Sequence, residues 1–232
     1  MTKTTPINWP EILAGEMLLV SMVGRILYTY PGNEERTWLQ SLIDEDIFSE
    51  VPFAADNVDS KTGLKFLQNW GKEGLSDESF ERLQADYTRL FIGPGKVIAA
   101  PWESVYFGDE RLTFQEQTLD VRNWYRRFGL EADKIHQEPD DHIGLELFFL
   151  SHLAAQGIQA LNEHDHPRFE MVLDAQREFL QKHIGAWVLT WCELVAENAR
   201  TDFYKGQAYL TRGVLSELSA LLEVKLAKEA AL

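Results

Sequence analysis

Cysteine is nearly missing from this sequence: Cys192 is the single one among 232 residues. An internal disulfide framework is therefore excluded, and the composition fits a reducing compartment. Cys192 lies in the apolar run 187–195, which assigns it to packing rather than to nucleophilic chemistry. Long apolar runs are missing too. No stretch approaches the roughly 18 apolar residues needed to cross a bilayer, and residues 1–10 lack the apolar core of a secretory signal. A cytoplasmic protein without membrane insertion is expected. Basic side chains are scarce, 22 against 37 acidic ones, for a formal net charge of −15. Such a field repels nucleic acid and anionic lipid and attracts basic ligands. The compact signatures of catalysis are also absent, with no His-Glu-x2-His, no Cys/His metal array and no Gly-x-Ser-x-Gly elbow. No self-sufficient catalytic set is present, and no enzyme is expected.

What is present is 45% hydrophobic and 12% aromatic residues, enough for a substantial core. Their spacing is helical in segment after segment, and strand-like alternation is nearly absent. A helix over 11–28 carries the stripe Leu13, Met17, Val20, Val23 and Leu27, and Pro31-Gly32 stops it. Shorter helices are predicted over 34–43 and 62–70. Ser76 reads as an N-cap with Asp77 and Glu78 in the first turn, and Leu75 and Phe80 form a hydrophobic staple. That helix runs to Gly93-Pro94-Gly95, and a loop over 93–108 follows. Thr113 to Glu116 reads as a capping box for a helix over 113–128, which leaves through a Schellman turn at Gly129-Leu130.

The polar segment 131–139 reads as a hinge. Pro139 pushes Glu138 out of helical geometry, and Asp140 or Asp141 is placed to cap a long apolar helix over 142–161. Helices over 167–183, 186–199 and 202–228 complete the chain, with Pro167 and Asp202 as start signals. The expected fold is an all-α bundle of about ten helices. It divides into an N-terminal lobe (7–134), a hinge (135–142) and a C-terminal lobe (143–228).

Three segments could carry chemistry. In the loop, Gly93-Pro94-Gly95-Lys96 is followed by Val97 and preceded by a helix, which is not the strand-loop-helix order of a phosphate-binding loop. Pro101, Trp102 and Tyr106 further along either fold into the core or wall a groove for an apolar peptide. At the hinge, one carboxylate of Glu138, Asp140 and Asp141 is used by the cap, leaving others beside the loop. His142 and Glu146, spaced i and i+4, can form an ion pair. Lastly, His164-Asp165-His166, with His152 and Asp174, could on paper supply the ligands of a helical metal-dependent phosphohydrolase. The segment is a polar turn before Pro167, where such residues are ordinary.

Taken together, Tyr87-x2-Leu90-Phe91-Ile92-Gly93-Pro94-Gly95, Pro101-Trp102-x-Ser104-Val105-Tyr106 and Glu138-Pro139-Asp140-Asp141-His142-Ile143-Gly144 resemble the TorD/DmsD family of redox-enzyme maturation chaperones. Ala100 stands where some members have a second proline. The resemblance implies a two-lobed helical fold hinged at 138–142. It also implies binding of the twin-arginine leader, and of the apo form, of a molybdopterin-dependent oxidoreductase of the dimethyl sulfoxide or trimethylamine N-oxide reductase type. The client would be held until cofactor insertion and then released for export. The resemblance further implies a monomer or a dimer that exchanges lobes across the hinge. No bound cofactor is expected; guanine nucleotide comes with the family, without independent support at Gly93–Lys96.

Both readings meet at Pro101, Trp102, Ser104, Tyr106, Glu138, Asp141 and His142. The apolar part of a leader would lie against Pro101, Trp102 and Tyr106, and its arginines would face Glu138 and Asp141.

Overall fold

The computed structural model describes residues 7–94, 97–107, 112–131 and 138–227. Among these residues the chain forms nine α-helices and no strand: α1 (Trp9–Tyr28), α2 (Asn33–Asp44), α3 (Val58–Glu73), α4 (Asp77–Tyr87), α5 (Glu116–Arg127), α6 (Ile143–Asn162), α7 (His166–Lys182), α8 (Val188–Asn198) and α9 (Asp202–Leu221). None of them is long and apolar enough to cross a membrane. The helical expectation is met. Gly95, Lys96 and most of the hinge segment, 132–137, lie outside the described residues, as do residues 1–6 and the end of the last expected helix.

Two long helix pairs organise the bundle. The α1 stripe Leu13, Val20, Val23 and Leu27 is buried, and α1 lies along α6. Gly24 and Gly144 permit their closest approach. A Cβ on Gly144 would sit 2.6 Å from the Tyr28 Cβ and 2.8 Å from the Gly24 carbonyl oxygen. The α3–α9 pair uses the same device, since a Cβ on Gly63 would sit 2.7 Å from the Gly206 carbonyl oxygen. Helices from before and after residues 138–142 therefore share one core.

Several helix ends follow local sequence. Ser76 Oγ accepts the Ser79 N–H at 3.2 Å, as a cap should. Asp165 caps α7 through the Arg168 N–H at 3.0 Å, with Pro167 in the first turn. At the end of α5, Gly129 at φ 78° gives the expected Schellman turn, in which the Leu130 N–H reaches the Tyr125 carbonyl at 2.9 Å. The α4 helix widens into a π-helical turn, Thr88–Ile92, before Gly93 ends it.

Other ends differ from expectation. The capping box at Thr113 does not form: Phe114 takes a left-handed conformation (φ 59°), α5 starts at Glu116, and Gln115 at its N-cap makes no side-chain cap bond. The α3 helix begins earlier than predicted because Asn57 caps it through the Asp59 N–H at 2.9 Å. The last helix stops at Leu221 because Glu223 (φ 57°) makes a Schellman turn, with the Val224 N–H on the Ser219 carbonyl at 2.8 Å.

Candidate functional site

The loop after Gly93 and the entry to α6 are stitched together. An antiparallel bridge joins Trp102 to His142. The Glu103 N–H donates to the Asp141 carbonyl at 2.9 Å, and the Ile143 N–H to the Pro101 carbonyl at 2.8 Å. Elements far apart in sequence thus form one seam. Its backbone is close to extended at Trp102 (φ −116°, ψ 131°), so neighbouring side chains leave on opposite sides.

On the outer side, Trp102 is half-buried, and its indole Nε1 donates to Glu138 Oε1 at 2.7 Å. Glu138 is half-buried as well. An apolar ring and a carboxylate therefore stand together at the surface. Pro101 beside them is buried.

On the inner side the acids of the seam are architectural. Asp141 is wholly buried, with Oδ2 accepting the Ser104 N–H and Oδ1 the Thr118 hydroxyl, both at 2.7 Å. With both oxygens engaged by the fold, Asp141 does not face solvent, contrary to its expected role opposite arginines. Asp140 is also buried; it takes the Arg122 Nε–H at 2.6 Å, while its carbonyl accepts the Tyr125 hydroxyl at 2.9 Å. These bonds tie α5 to the seam.

Neither aspartate caps α6. His142 does, its Nδ1 accepting the Gly144 N–H at 3.0 Å. Burial pushes the His142 pKa down to about 3, so the ring is neutral and its lone pair is free to act as a cap. A neutral imidazole makes no ion pair, and the expected His142–Glu146 pair is absent. The ring meets Tyr28 edge-on at 5.2 Å and Trp102 at 6.2 Å. Tyr28, on α1, had no signal in the sequence that linked it to this seam.

Tyr106 also belongs to the interior. It is 1% exposed, stacks on Trp187 at 5.0 Å, and donates its hydroxyl to the Ala100 carbonyl at 2.9 Å. It braces the loop from within and forms no part of a solvent-facing wall. Ser104 is buried and contributes its backbone N–H to Asp141.

Behind the seam lies a chain of buried polar groups that sequence reading missed. Glu103 points inward and meets His183 Nδ1 at 3.1 Å. Burial, followed by the neighbouring Glu103 and Asp141 charges, lifts Glu146 well above the usual carboxylate range. Burial also raises Glu103, with the His183 hydrogen bond pulling the other way. The Trp187 indole faces Glu146 Oε2 at 3.4 Å. The one available hint was the alternation at Trp102 and Glu103, which predicts opposite faces only once the backbone is known to be extended.

The remaining candidates are dispersed. Asp165 is a cap, Asp174 pairs with Arg177, and His152 Nε2 lies 3.2 Å from the Phe128 carbonyl. Among the described residues no group of three or more His, Cys, Asp or Glu side chains could hold a metal ion. Cys192 is buried, which pushes its thiol pKa upward. A cavity of about 510 Å³ lined by Arg82, Asp86, Arg89 and Arg200 lies elsewhere, and none of the seam residues lines it.

Asp140 and Asp141 thus hold one loop and α5 against the entry to α6, and they leave Trp102 and Glu138 on the outer side. The family model described as nitrate reductase delta subunit matches residues 58–193. The Chaperone protein TorD of Aliivibrio salmonicida is 31% identical over 77% of this chain and 76% of its own length. The Tat proofreading chaperone DmsD of Salmonella typhi is 26% identical over 89% of this chain and 90% of its own. The TorD of Aliivibrio fischeri is 28% identical over 81% of each. The chain belongs to the TorD/DmsD family of redox-enzyme maturation chaperones, whose members carry the names of chaperones and not of enzymes.

Proposed function

We propose that this protein binds the twin-arginine leader of a molybdopterin-dependent oxidoreductase, of the dimethyl sulfoxide or trimethylamine N-oxide reductase type. In the cytoplasm it holds the apo form of that enzyme until the cofactor is inserted, and then releases it for export. The relatives named as TorD and as Tat proofreading chaperones support this reading. The observation that carries it is the outward pair Trp102–Glu138, bonded at 2.7 Å at the seam.

A leader joins a cationic end to an apolar stretch. The indole face offers apolar burial at about 25 cal/mol per Å². The Glu138 carboxylate offers an acceptor for a guanidinium fork. Asp141, His142, Ser104 and Tyr106 act by positioning this pair. The net charge of −15 speeds the encounter more than it tightens the complex. Micromolar binding needs only about 8 kcal/mol, within reach of a few anchors, and leaves the leader releasable.

The test is calorimetric titration with a twin-arginine leader peptide and with its Arg-Arg→Ala-Ala control. Binding of the first and weak or no binding of the second is expected. Equal binding of both would sink the arginine-dependent reading and leave a general peptide scaffold.

A further inference from the structure

One hydrogen bond in the interior joins α1 to α7 across 160 positions of the chain. Glu16 and Gln176 are both 0% exposed, and the Gln176 Nε2–H donates to Glu16 Oε1 at 2.7 Å. The same two helices meet at Trp9 and Phe169, edge-on at 5.7 Å. The Glu16–Gln176 bond leaves two buried oxygens over. Glu16 Oε2 and Gln176 Oε1 have no hydrogen-bond partner among the described residues. No cation answers the carboxyl either. Burial lifts the Glu16 pKa to about 8, the Gln176 bond alone opposes it, and no charged neighbour among the described residues contributes. The charged groups of the elements around Glu16 are engaged elsewhere. Glu146 of α6 faces Trp187, Asp56 holds Lys61, and Arg212 of α9 is held by Asp59. On α7, Asp174 holds Arg177 and Glu178 holds Lys182.

An ionised Glu16 would keep a full charge in the interior against one amide N–H, and would leave both spare oxygens as unmet acceptors. A proton on Oε2 removes the charge and turns that oxygen into a donor. Its O–H can then meet Gln176 Oε1 while Glu16 Oε1 keeps the amide N–H, so one proton satisfies both spare oxygens. Turning the amide over leaves the count unchanged, since its oxygen would then face Glu16 Oε1 and need the same proton.

We propose that Glu16 is a neutral carboxylic acid in the folded protein, and that its proton closes a latch with Gln176 that fastens α1 to α7 and weakens as alkali removes it. In the chain α1 precedes the 138–142 seam and α7 follows it, so the latch joins the two halves from within. The unfolded chain releases this proton near the ordinary glutamate value of 4.5, and the folded chain near 8. The stabilisation is therefore full below pH 4.5, declines as pH rises towards 8 and is absent above it.

Two measurements on the full chain test it. In the first, the side-chain carboxyl ¹³C resonance of Glu16 is followed with pH. At neutral pH it should lie at the carboxylic-acid position, and it should cross to the carboxylate position with a midpoint near 8. A carboxylate resonance at neutral pH overturns the proposal. In the second, the wild type and Glu16→Gln are unfolded with urea at pH values across the same window. Glutamine keeps the shape of the acid form and can exchange N–H and carbonyl with Gln176 at every pH. Relative to the variant, the wild type should lose about tenfold in its folding equilibrium constant per pH unit through the middle of the window. The ratio of the two cancels the titration of all other groups, and a ratio that stays constant overturns the latch. Should Glu16→Gln fail to fold, the ¹³C titration of the wild type decides alone.

Discussion

The two sides of the seam use the same residue types to opposite ends. On the outside, Glu138 sits half-buried beside an indole. On the inside, Asp141 has no exposure and spends both oxygens on Ser104 and Thr118. His142, in the same stretch, is neutral and caps a helix. A short run that reads as a cluster of ligand-binding charges is therefore one outward carboxylate standing on a buried framework. Changes inside should be read in stability, and changes outside in binding.

The largest contrast should come from acid. Burial holds the pKa of His142 in the folded protein near 3, below the ordinary histidine value of 6.5. The contribution from keeping the ring neutral is fully present above pH 6.5 and is lost as pH falls towards 3. The loss is on the order of 5 kcal/mol over that window. His142→Asn keeps a cap and removes the titration, so its denaturation midpoint should lack that part of the acid dependence. A wild-type-like acid profile in the variant would remove His142 from the inner group.

Asp141→Ala should follow, costing roughly 3 kcal/mol in chemical denaturation by stranding a buried N–H and a buried hydroxyl. Leader affinity measured under conditions where the variant is folded should change little. A large binding loss with stability intact would instead move Asp141 to the outer side.

Trp102→Ala should do the reverse, weakening leader binding by about 2 kcal/mol with the melting temperature nearly unchanged. Glu138→Gln should give the smallest effect, about 1 kcal/mol or less in affinity and larger at low salt. Glutamine can still accept the indole N–H, so Trp102 stays in place and only the charge is removed. If affinity proves independent of salt in both wild type and variant, Glu138 is no partner for an arginine.

The sequence made the helices legible wherever one residue's spacing decided the outcome. The α1 stripe, the Ser76 cap, the Pro167 start signal and the Gly129 exit are of that kind. What it left obscure depended on partners far along the chain. Asp140, Asp141 and His142 are all able to cap α6. The choice was settled by Arg122, Ser104 and Thr118 drawing the aspartates away. The capping box at Thr113 failed, and the last helix ended early, through left-handed turns at Phe114 and Glu223, residue types that do not advertise such a conformation. Within the site, the motif residues were visible, but their division into outer and inner was not. Glu103 and His183 went unnoticed because nothing in their spacing joins them.

The glycine contact between α1 and α6 bears on the order in which the protein assembles. Gly24 meets Gly144, so α1 waits for α6 before the larger part of its apolar face is covered. Contacts of such wide sequence separation are slow to form, because a long loop must close before any burial rewards it. During synthesis the Leu13–Leu27 stripe would lack its longest partner until residues beyond the seam had left the ribosome. The surface that presents Trp102 is completed by the same event, since His142 caps the helix that α1 awaits. A chain interrupted before α6 would thus have neither a finished core nor the seam that sets Trp102 beside Glu138, so this surface exists only once the fold itself is complete.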